Sequence, residues 1–331
     1  MAIQKKAVSA AIGAAALASA AVLGPAQAMA QGYPTRPVTM IVPFAAGGPT
    51  DVVARSLAEA MRKSLGQTVV VENVGGAGGT IGTARVAKAS NDGYTMLLMH
   101  IGFSTAPALY RKLSYDQAHD FQPVGLTVDV PMTIIARENF PATNIKEFLT
   151  YVKANASKLS MANAGIGSAS HLCGLMFMST IGSEFQTIPY KGTAPAMNDL
   201  LGKQVDFMCD QTTNTTGQIK AGKVKAYAVT SKTRVPSLPD LPTLDESGLK
   251  DFSVGIWHGL WVPKGTSPEI VTKLQTSLKA GLDDPAFKQR MTELGAIVLN
   301  DKATPAALDA LVKSETAKWG AVIKKAGVYA D

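Results

Sequence analysis

Thr39-Met40-Ile41-Val42-Pro43-Phe44-Ala45-Ala46-Gly47-Gly48-Pro49-Thr50-Asp51 is an apolar run that ends in a glycine turn and opens into the amphipathic stretch 52–65. Strand, turn and helix in that order set a helix start beside a strand end. A helix start carries backbone N–H groups without intrahelical partners and a partial positive charge, so the motif suits an anion. Related glycine-rich turns stand at residues 75–79 and 165–168.

Working outward, short apolar strands alternate with helical patterns. Strands are expected at 38–42, 68–72 and 94–99, with helices at 52–65 and 79–89, a β-α-β-α-β order that implies parallel strands and right-handed crossovers. Two further strands, 123–127 and 132–136, read as a crossing into a second lobe. There the pattern restarts: helix 145–155 after Thr143-Asn144, strand 159–163, helix 168–181, strand 185–188, helix 194–201, strand 205–208, helix 215–221 and strand 224–229. Pro236, Pro239 and Pro242 mark an irregular stretch. The run 254–262, with Trp257 and Trp261, reads as a strand returning to the first lobe. Helices 268–280, 285–294 and 305–325 follow, each with Pro near its first turn. Open α/β sheets bind ligands beyond the carboxyl ends of their strands, so two facing lobes make a cleft that can close.

The N-terminus has Lys5 and Lys6, an apolar run over 7–23, Gly24-Pro25, and small-residue sites at Ala26-Gln27-Ala28 and Ala28-Met29-Ala30. This is the three-part pattern of a cleaved secretory signal peptide, expected over residues 1–30 with cleavage after Ala28 or Ala30. No cysteine sits there to carry a lipid, and no later run reaches the length of a membrane span. The mature chain of about 300 residues is expected to be exported and soluble, enough for two lobes with their own cores. Loss of Lys5 and Lys6 takes the formal net charge from +7 to +5. The basic residues are scattered, without a stripe interleaved with aromatics, so no nucleic-acid partner is expected. With 17% charged residues the chain is not of the disordered class. The two cysteines, Cys173 and Cys209, either pair in an oxidising compartment or are separately buried. His171 and Cys173 lack further ligands at metal-binding spacing, and neither metal nor cofactor is expected.

Several segments together carry a resemblance. They are Tyr33-Pro34-Thr35-Arg36-Pro37-Val38, Val42-Pro43-Phe44-Ala45-Ala46-Gly47-Gly48 with Asp51, Val70-Val71-Glu72-Asn73 with Gly76-Ala77-Gly78-Gly79, and Asn91-Asp92-Gly93-Tyr94-Thr95. Further along stand Gly165-Ile166-Gly167-Ser168 with His171-Leu172, Tyr190-Lys191-Gly192-Thr193-Ala194-Pro195-Ala196, and Leu238-Pro239-Asp240-Leu241-Pro242-Thr243. The chain resembles, over essentially its whole mature length, the Bug family of periplasmic solute-binding proteins of tripartite tricarboxylate transporters. The resemblance implies a two-lobed α/β binding protein of the Venus-flytrap, type II-like kind, each lobe an open, mostly parallel sheet flanked by helices. Residues 31–131 and 253–331 would form lobe 1 and residues 132–252 lobe 2. It implies a monomeric periplasmic protein that holds a dicarboxylate, tricarboxylate, acidic amino acid or aromatic acid and delivers it to a membrane permease.

Within that frame the first binding element is Phe44, Ala46, Gly47, Gly48 and Thr50, whose backbone can hold a carboxylate without a cationic side chain. Asp51 reads as a cap that complements the helix dipole rather than as a ligand contact. The turn 75–79 matches a dinucleotide fingerprint poorly and reads as a cleft-edge turn, in contact with ligand or merely packed beside the first loop. Gly102, Phe103 and Ser104 follow a strand end and should lie at the cleft, where Phe103 either stacks on an aromatic acid or packs internally. Gly167, Ser168 and Ala169 form the second-lobe counterpart, with Ser168 as helix cap and His171 one turn in, either a cleft hydrogen-bonding residue or a structural one. Lys191, Gly192 and Thr193 make another strand–turn–helix; Lys191 either pairs with a carboxylate or is solvated, and Thr193 is the better contact. Asp210 follows a strand on the cleft side. There it either orients water, binds a ligand amine or holds its loop, and facing the pocket it would point to a ligand with a donor group or to a protonated carboxyl. Trp257 and Trp261 are expected to pack at the hinge.

The competing reading from another class is a secreted hydrolase using Ser168 or Ser170 with His171. The chain has neither a G-x-S-x-G elbow nor an H-E-x-x-H helix. A binding protein that serves a sensor would use the same pocket.

Overall fold

The computed structural model describes residues 32–330. The leader expected over residues 1–30, with its two cleavage positions, lies outside the described residues. Residues 32–35 fall in an N-terminal unit of their own, and from Arg36 onward the chain forms one compact body.

The opening motif folds as its pattern dictates. β1 (Val38–Val42) pairs in parallel with β2 (Val69–Asn73) on one side and with β3 (Thr95–His100) on the other. Flanked on both edges and covered on both faces, β1 is almost entirely buried, which explains its unbroken apolar run. Helix α1 (Pro49–Leu65) begins at Pro49 rather than at Val52, because a proline in the first turn lacks only an N–H that would be unpaired there. Gly66 ends it in the left-handed conformation. α2 (Thr80–Ala87) is the second crossover. α3 (Gly102–Leu109) is a helix at a stretch for which the sequence pattern predicted no element.

Beyond β3 lies antiparallel β9 (Gly255–Pro263), and beyond that β4 (Phe121–Arg137). The two strands expected at 123–127 and 132–136 are thus one continuous strand. Its prolines are tolerated because the β4–β9 register shifts between Pro123 and Gly125, and Pro131 pairs only with the first residue of β9. The far half of β4 pairs with β7 (Phe207–Gln211) and β8 (Val224–Val229), so one strand belongs to both sheets. In the second sheet β5 (Ser160–Asn163) lies between β6 (Gln186–Pro189) and β7, all parallel. The strand orders β2-β1-β3-β9-β4 and β6-β5-β7-β4-β8 have the same layout: parallel strands, then one reversed strand, then a last strand restored to the first direction. The short β10 (Ile297–Val298) also pairs with β4.

The second sheet carries α4 (Ile145–Ala154), α5 (Ala169–Ile181), α6 (Thr193–Leu201) and α7 (Thr212–Lys220). Its core is aromatic: Phe140, Phe148, Phe177 and Phe207 are fully buried, and the rings of Phe148 and Tyr227 stack at 4.3 Å. Cys173 on α5 and Cys209 on β7 are both buried and joined by a disulfide, their Cα atoms 6.1 Å apart. After β9 come α8 (Pro268–Asp283), packed on α1, then α9 (Pro285–Glu293) and α10 (Pro305–Ala326), packed on α3. Among the described residues no helix is long and apolar enough to cross a membrane.

Candidate functional site

Parallel strands from both lobes end at one cleft and turn there into helices. A cavity in that cleft is lined from the first lobe by Phe44, Pro49, Thr50 and His100, and from the second by Ala164, Ser168–Ser170, Thr193, Asp210 and Gln211. The starts of α1, α5, α6 and α7 therefore converge on one small space. In each helix the first N–H groups have no intrahelical acceptor; at α1 the ladder begins with Val52 N–H on the Gly48 carbonyl, which leaves Thr50 and Asp51 N–H outside it. At α5 it begins with Leu172 N–H on the Ser168 carbonyl. Several positive helix ends around one space suit an anion, and no lysine or arginine is among the residues that line it. The cavity is about 10 Å³, room for about one water molecule.

The first loop is held from behind. Asp51 Oδ2 accepts from Gly47 N–H and Arg55 Nε, both at 2.9 Å, and Asp51 Oδ1 accepts from Asn73 Nδ2 at 2.9 Å. Burial alone would raise the Asp51 pKa, but these donors together hold it below the ordinary carboxylate value. Asn73 Nδ2 also reaches the Phe44 carbonyl at 3.1 Å. Gly47 has φ +80°, a conformation that L side chains rarely adopt, and this lets its N–H turn back to Asp51. Asp51 braces the turn through Gly47 N–H rather than capping the helix, whose N-cap is Gly48 without a side-chain cap bond, and Ala46 and Gly47 lie on the exposed side of the turn.

On the second lobe Ser168 caps α5, its Oγ accepting from His171 N–H at 3.3 Å. His171 Nδ1 accepts from Gly167 N–H at 3.2 Å, so the imidazole braces the turn. Burial pushes its pKa down to about 4. Neither serine hydroxyl is bonded to that ring: Ser168 Oγ and Ser170 Oγ face each other at 3.2 Å, and Ser170 Oγ accepts from Ala164 N–H at 2.7 Å. The nucleophile–base contact that a serine hydrolase requires is not formed.

Asp210 is fully buried at the end of β7, where desolvation drives its pKa up to about 7. Asn214 Nδ2 at 2.5 Å and Gln211 N–H at 2.8 Å oppose that rise. Thr193 Oγ1 opposes it weakly, yet meets no full hydrogen-bond geometry. Thr193 Oγ1 and Gln211 Oε1, both at the cavity, are buried polar atoms without a protein partner, as are Thr212 Oγ1 and Thr213 Oγ1 in the first turn of α7. Unsatisfied groups gathered at one place mark where a ligand or water completes the bonding.

Two of the expected contacts are corrected. Phe103 is 1% exposed and stacks on Trp261 at 4.4 Å with Phe121 edge-on at 5.1 Å, so it belongs to the first lobe's core rather than to the cleft. Ser104 is buried against α10, its Oγ reaching the Val312 carbonyl at 3.4 Å. The cause is α3 itself: winding residues 102–109 into a helix turns both side chains inward. Gly102 contributes its N–H to His100 Nδ1 at 3.0 Å. His100 is a cavity residue that sequence reasoning passed over; its signal was its position as the last residue of a strand ending at the cleft.

Of the remaining expected residues, Gly167, Lys191 and Gly192 lie where the two lobes touch. Ala45 N–H donates to the Lys191 carbonyl at 3.2 Å, and Tyr110 Oη donates to the Ile166 carbonyl at 2.8 Å. Thr105 Oγ1 shares its proton between Gly102 O at 3.3 Å and Gly167 O at 3.4 Å. A Cβ on Gly192 would stand 2.9 Å from Ala45 N, and one on Gly75 would stand 2.9 Å from Lys191 O. Outside these contacts an open groove of about 600 Å³ runs past Ala77, Tyr110, Ile166, Tyr190, Lys191 and Pro195. Lys191 is therefore at the mouth of the cleft, and its main chain rather than its ammonium makes the contact across it.

Residues 53–328 match the model of the tripartite tricarboxylate transporter family receptor. The chain is 51% identical over 296 residues to a UPF0065 protein from the TAR-I ttuE-ttuC′ intergenic region of Agrobacterium vitis, covering 89% of this chain and 86% of that protein. The structure of the periplasmic binding protein BugD is similar with a TM-score of 0.88 and 67% identity, over 90% of this chain and 99% of BugD. MatC from Rhodopseudomonas palustris, solved with bound malate, is similar with a TM-score of 0.84 and 42% identity, over 88% of this chain and all (100%) of MatC. A two-lobed fold with helix starts meeting in its cleft, and agreement of this extent with solved receptors, place the chain in the Bug-type receptor family of tripartite tricarboxylate transporters.

Proposed function

We propose that the protein captures a small carboxylate in the interlobe cleft and presents it to a membrane permease of the tripartite tricarboxylate type. The observation that carries this reading is the convergence of the α1, α5, α6 and α7 starts on one cavity without a lysine or arginine in its lining. One carboxylate would be held by Thr50 N–H and its neighbours, and a second by Ala169 and Ser170 N–H on the opposite lobe. The acceptors there, Asp210 and Gln211 Oε1, favour a ligand that also offers a donor, a hydroxyl or an ammonium. MatC, similar in fold and sequence, holds a hydroxy-dicarboxylate.

The lobes would be residues 31–131 with 253–331, and residues 132–252, hinged on β4 and β9. The protein would act as a monomer in the periplasm after removal of its leader. The test is a thermal-shift screen of the mature protein against carboxylates, with calorimetry on the hits. A midpoint that rises with ligand concentration, and recovery of the ligand unchanged, are expected. Conversion of a hit to product would overturn the receptor reading in favour of an enzyme.

A further inference from the structure

The cavity wall of the first lobe holds one buried imidazole, His100, with a second, His258, packed against it, and the backbone motif accounts for neither. His100 is 2% exposed and His258 is fully buried; their rings meet edge to face at 5.7 Å, and Phe44 stacks on His100 at 4.7 Å. Each ring has one nitrogen fixed by the main chain, and the two are fixed in opposite senses.

Gly102 N–H points at His100 Nδ1 at 3.0 Å. A backbone N–H can only donate, so Nδ1 carries the lone pair and a neutral His100 bears its proton on Nε2. His258 Nδ1 lies 3.0 Å from the Ile256 carbonyl, which can only accept, so there the proton is on Nδ1. Its Nε2 is then an acceptor, and Thr50 Oγ1, 3.2 Å away, donates to it. Both rings are neutral: burial, then the neighbouring His258, lowers His100 against a small opposing effect of its own carbonyl, and burial takes His258 to about 4. Among the described residues, the hydrogen bond that joins the His100 ring to another residue is that of Gly102 N–H at Nδ1, and His100 lines the cavity.

We propose that His100 is a ligand-binding residue whose Nε2–H donates to a carboxylate oxygen in the cleft, while the hydroxyl of Thr50, its hydrogen committed to His258, only accepts. The proposal rests on the receptor reading and sharpens it. Carboxylate recognition in the first lobe then combines helix-start N–H groups with one neutral side-chain donor, and the Thr50 hydroxyl faces the donor group of the ligand. A neutral imidazole supplies a directed N–H without the cost of burying a cation.

The experiment is ¹⁵N–¹H spectroscopy of the histidine rings in the mature protein, titrated with malate and with succinate, alongside calorimetry of His100→Leu and His100→Gln. Expected are a protonated Nε2 and bare Nδ1 at His100, and an Nε2–H proton that moves downfield on adding malate. A hydrogen bond to a charged group lost at His100→Leu should weaken malate binding about 10- to 100-fold. His100→Gln keeps an N–H near the same place and should lose less. An Nε2–H resonance unmoved by malate, or wild-type affinity in both variants, overturns the assignment while the receptor reading stands. Failure of the wild-type protein to bind any carboxylate overturns both.

Discussion

Across the cleft, the main-chain N–H of Ala45 in the first lobe meets the carbonyl of Lys191 in the second at 3.2 Å. The two belong to the glycine turns that lead into α1 and α6, so the facing lobes touch through their own backbones. Gly78, at φ +61°, has no room for a Cβ, which would run into the Ile166 carbonyl on the opposite lobe. Gly78→Val should therefore hold the lobes apart. Expected are a larger radius of gyration by small-angle scattering and about tenfold or greater loss of carboxylate affinity, since overpacking of this kind costs about 1–3 kcal/mol. Unchanged affinity and dimensions would remove this turn from the closure contact.

Asp210 predicts a proton count. Its folded pKa is raised from 3.8 to about 7, so its contribution to stability is full below 3.8 and is lost as the pH rises to about 7. Near neutral pH an incoming dicarboxylate should push that pKa higher still and draw a proton from the buffer. Calorimetry in buffers of different ionisation enthalpy should record uptake of up to one proton per succinate bound at pH 7.5. Asp210→Asn should abolish it.

The buried histidines act in the opposite sense. His171 and His258 are lowered to about 4, and His100 well below 6.5. Their neutral forms stabilise the fold fully above 6.5, and that contribution is lost as the pH falls toward 4, by up to about 3 kcal/mol for each of His171 and His258. Denaturant midpoints should fall between pH 6.5 and 4, and His258→Phe should lessen the slope. A flat profile over this range would contradict the neutral, buried state of the rings.

The disulfide between Cys173 and Cys209 closes a loop with a sequence separation of 36 between its ends. Loop-closure entropy for that length suggests roughly 4 kcal/mol. The double substitution Cys173→Ala/Cys209→Ala should lower the melting midpoint by several degrees. Ligand affinity should change little, because neither sulfur lines the cavity. An equal loss of binding would tie the bridge to the site itself.

The motif 39–51 was legible because each part of it has a local cause: an apolar run for a strand buried on both sides, glycines for the turn, Asp51 near a helix start, although the helix begins at Pro49, three residues before the expected Val52. Cleft position was legible wherever a strand led into a polar turn, as at Ser168, Thr193 and Asp210. It failed at residues 102–109, where helix α3 is fixed by packing on α10 and not by its own pattern, and so Phe103 and Ser104 went to the core. The unity of β4 was hidden for a similar reason. Pro123 and Pro131 interrupt its pattern, and only register shifts against β9 let the strand run on. The role of His100 depends on which ring nitrogen the main chain occupies, and that is a matter of geometry.

The central claim is that helix-start N–H groups from both lobes hold the carboxylates. Backbone ¹⁵N–¹H spectroscopy of the mature protein saturated with malate tests it most directly. The account predicts downfield shifts of the Thr50, Asp51, Ala169 and Ser170 amide protons. Tight binding of malate with these four amides unmoved would contradict it.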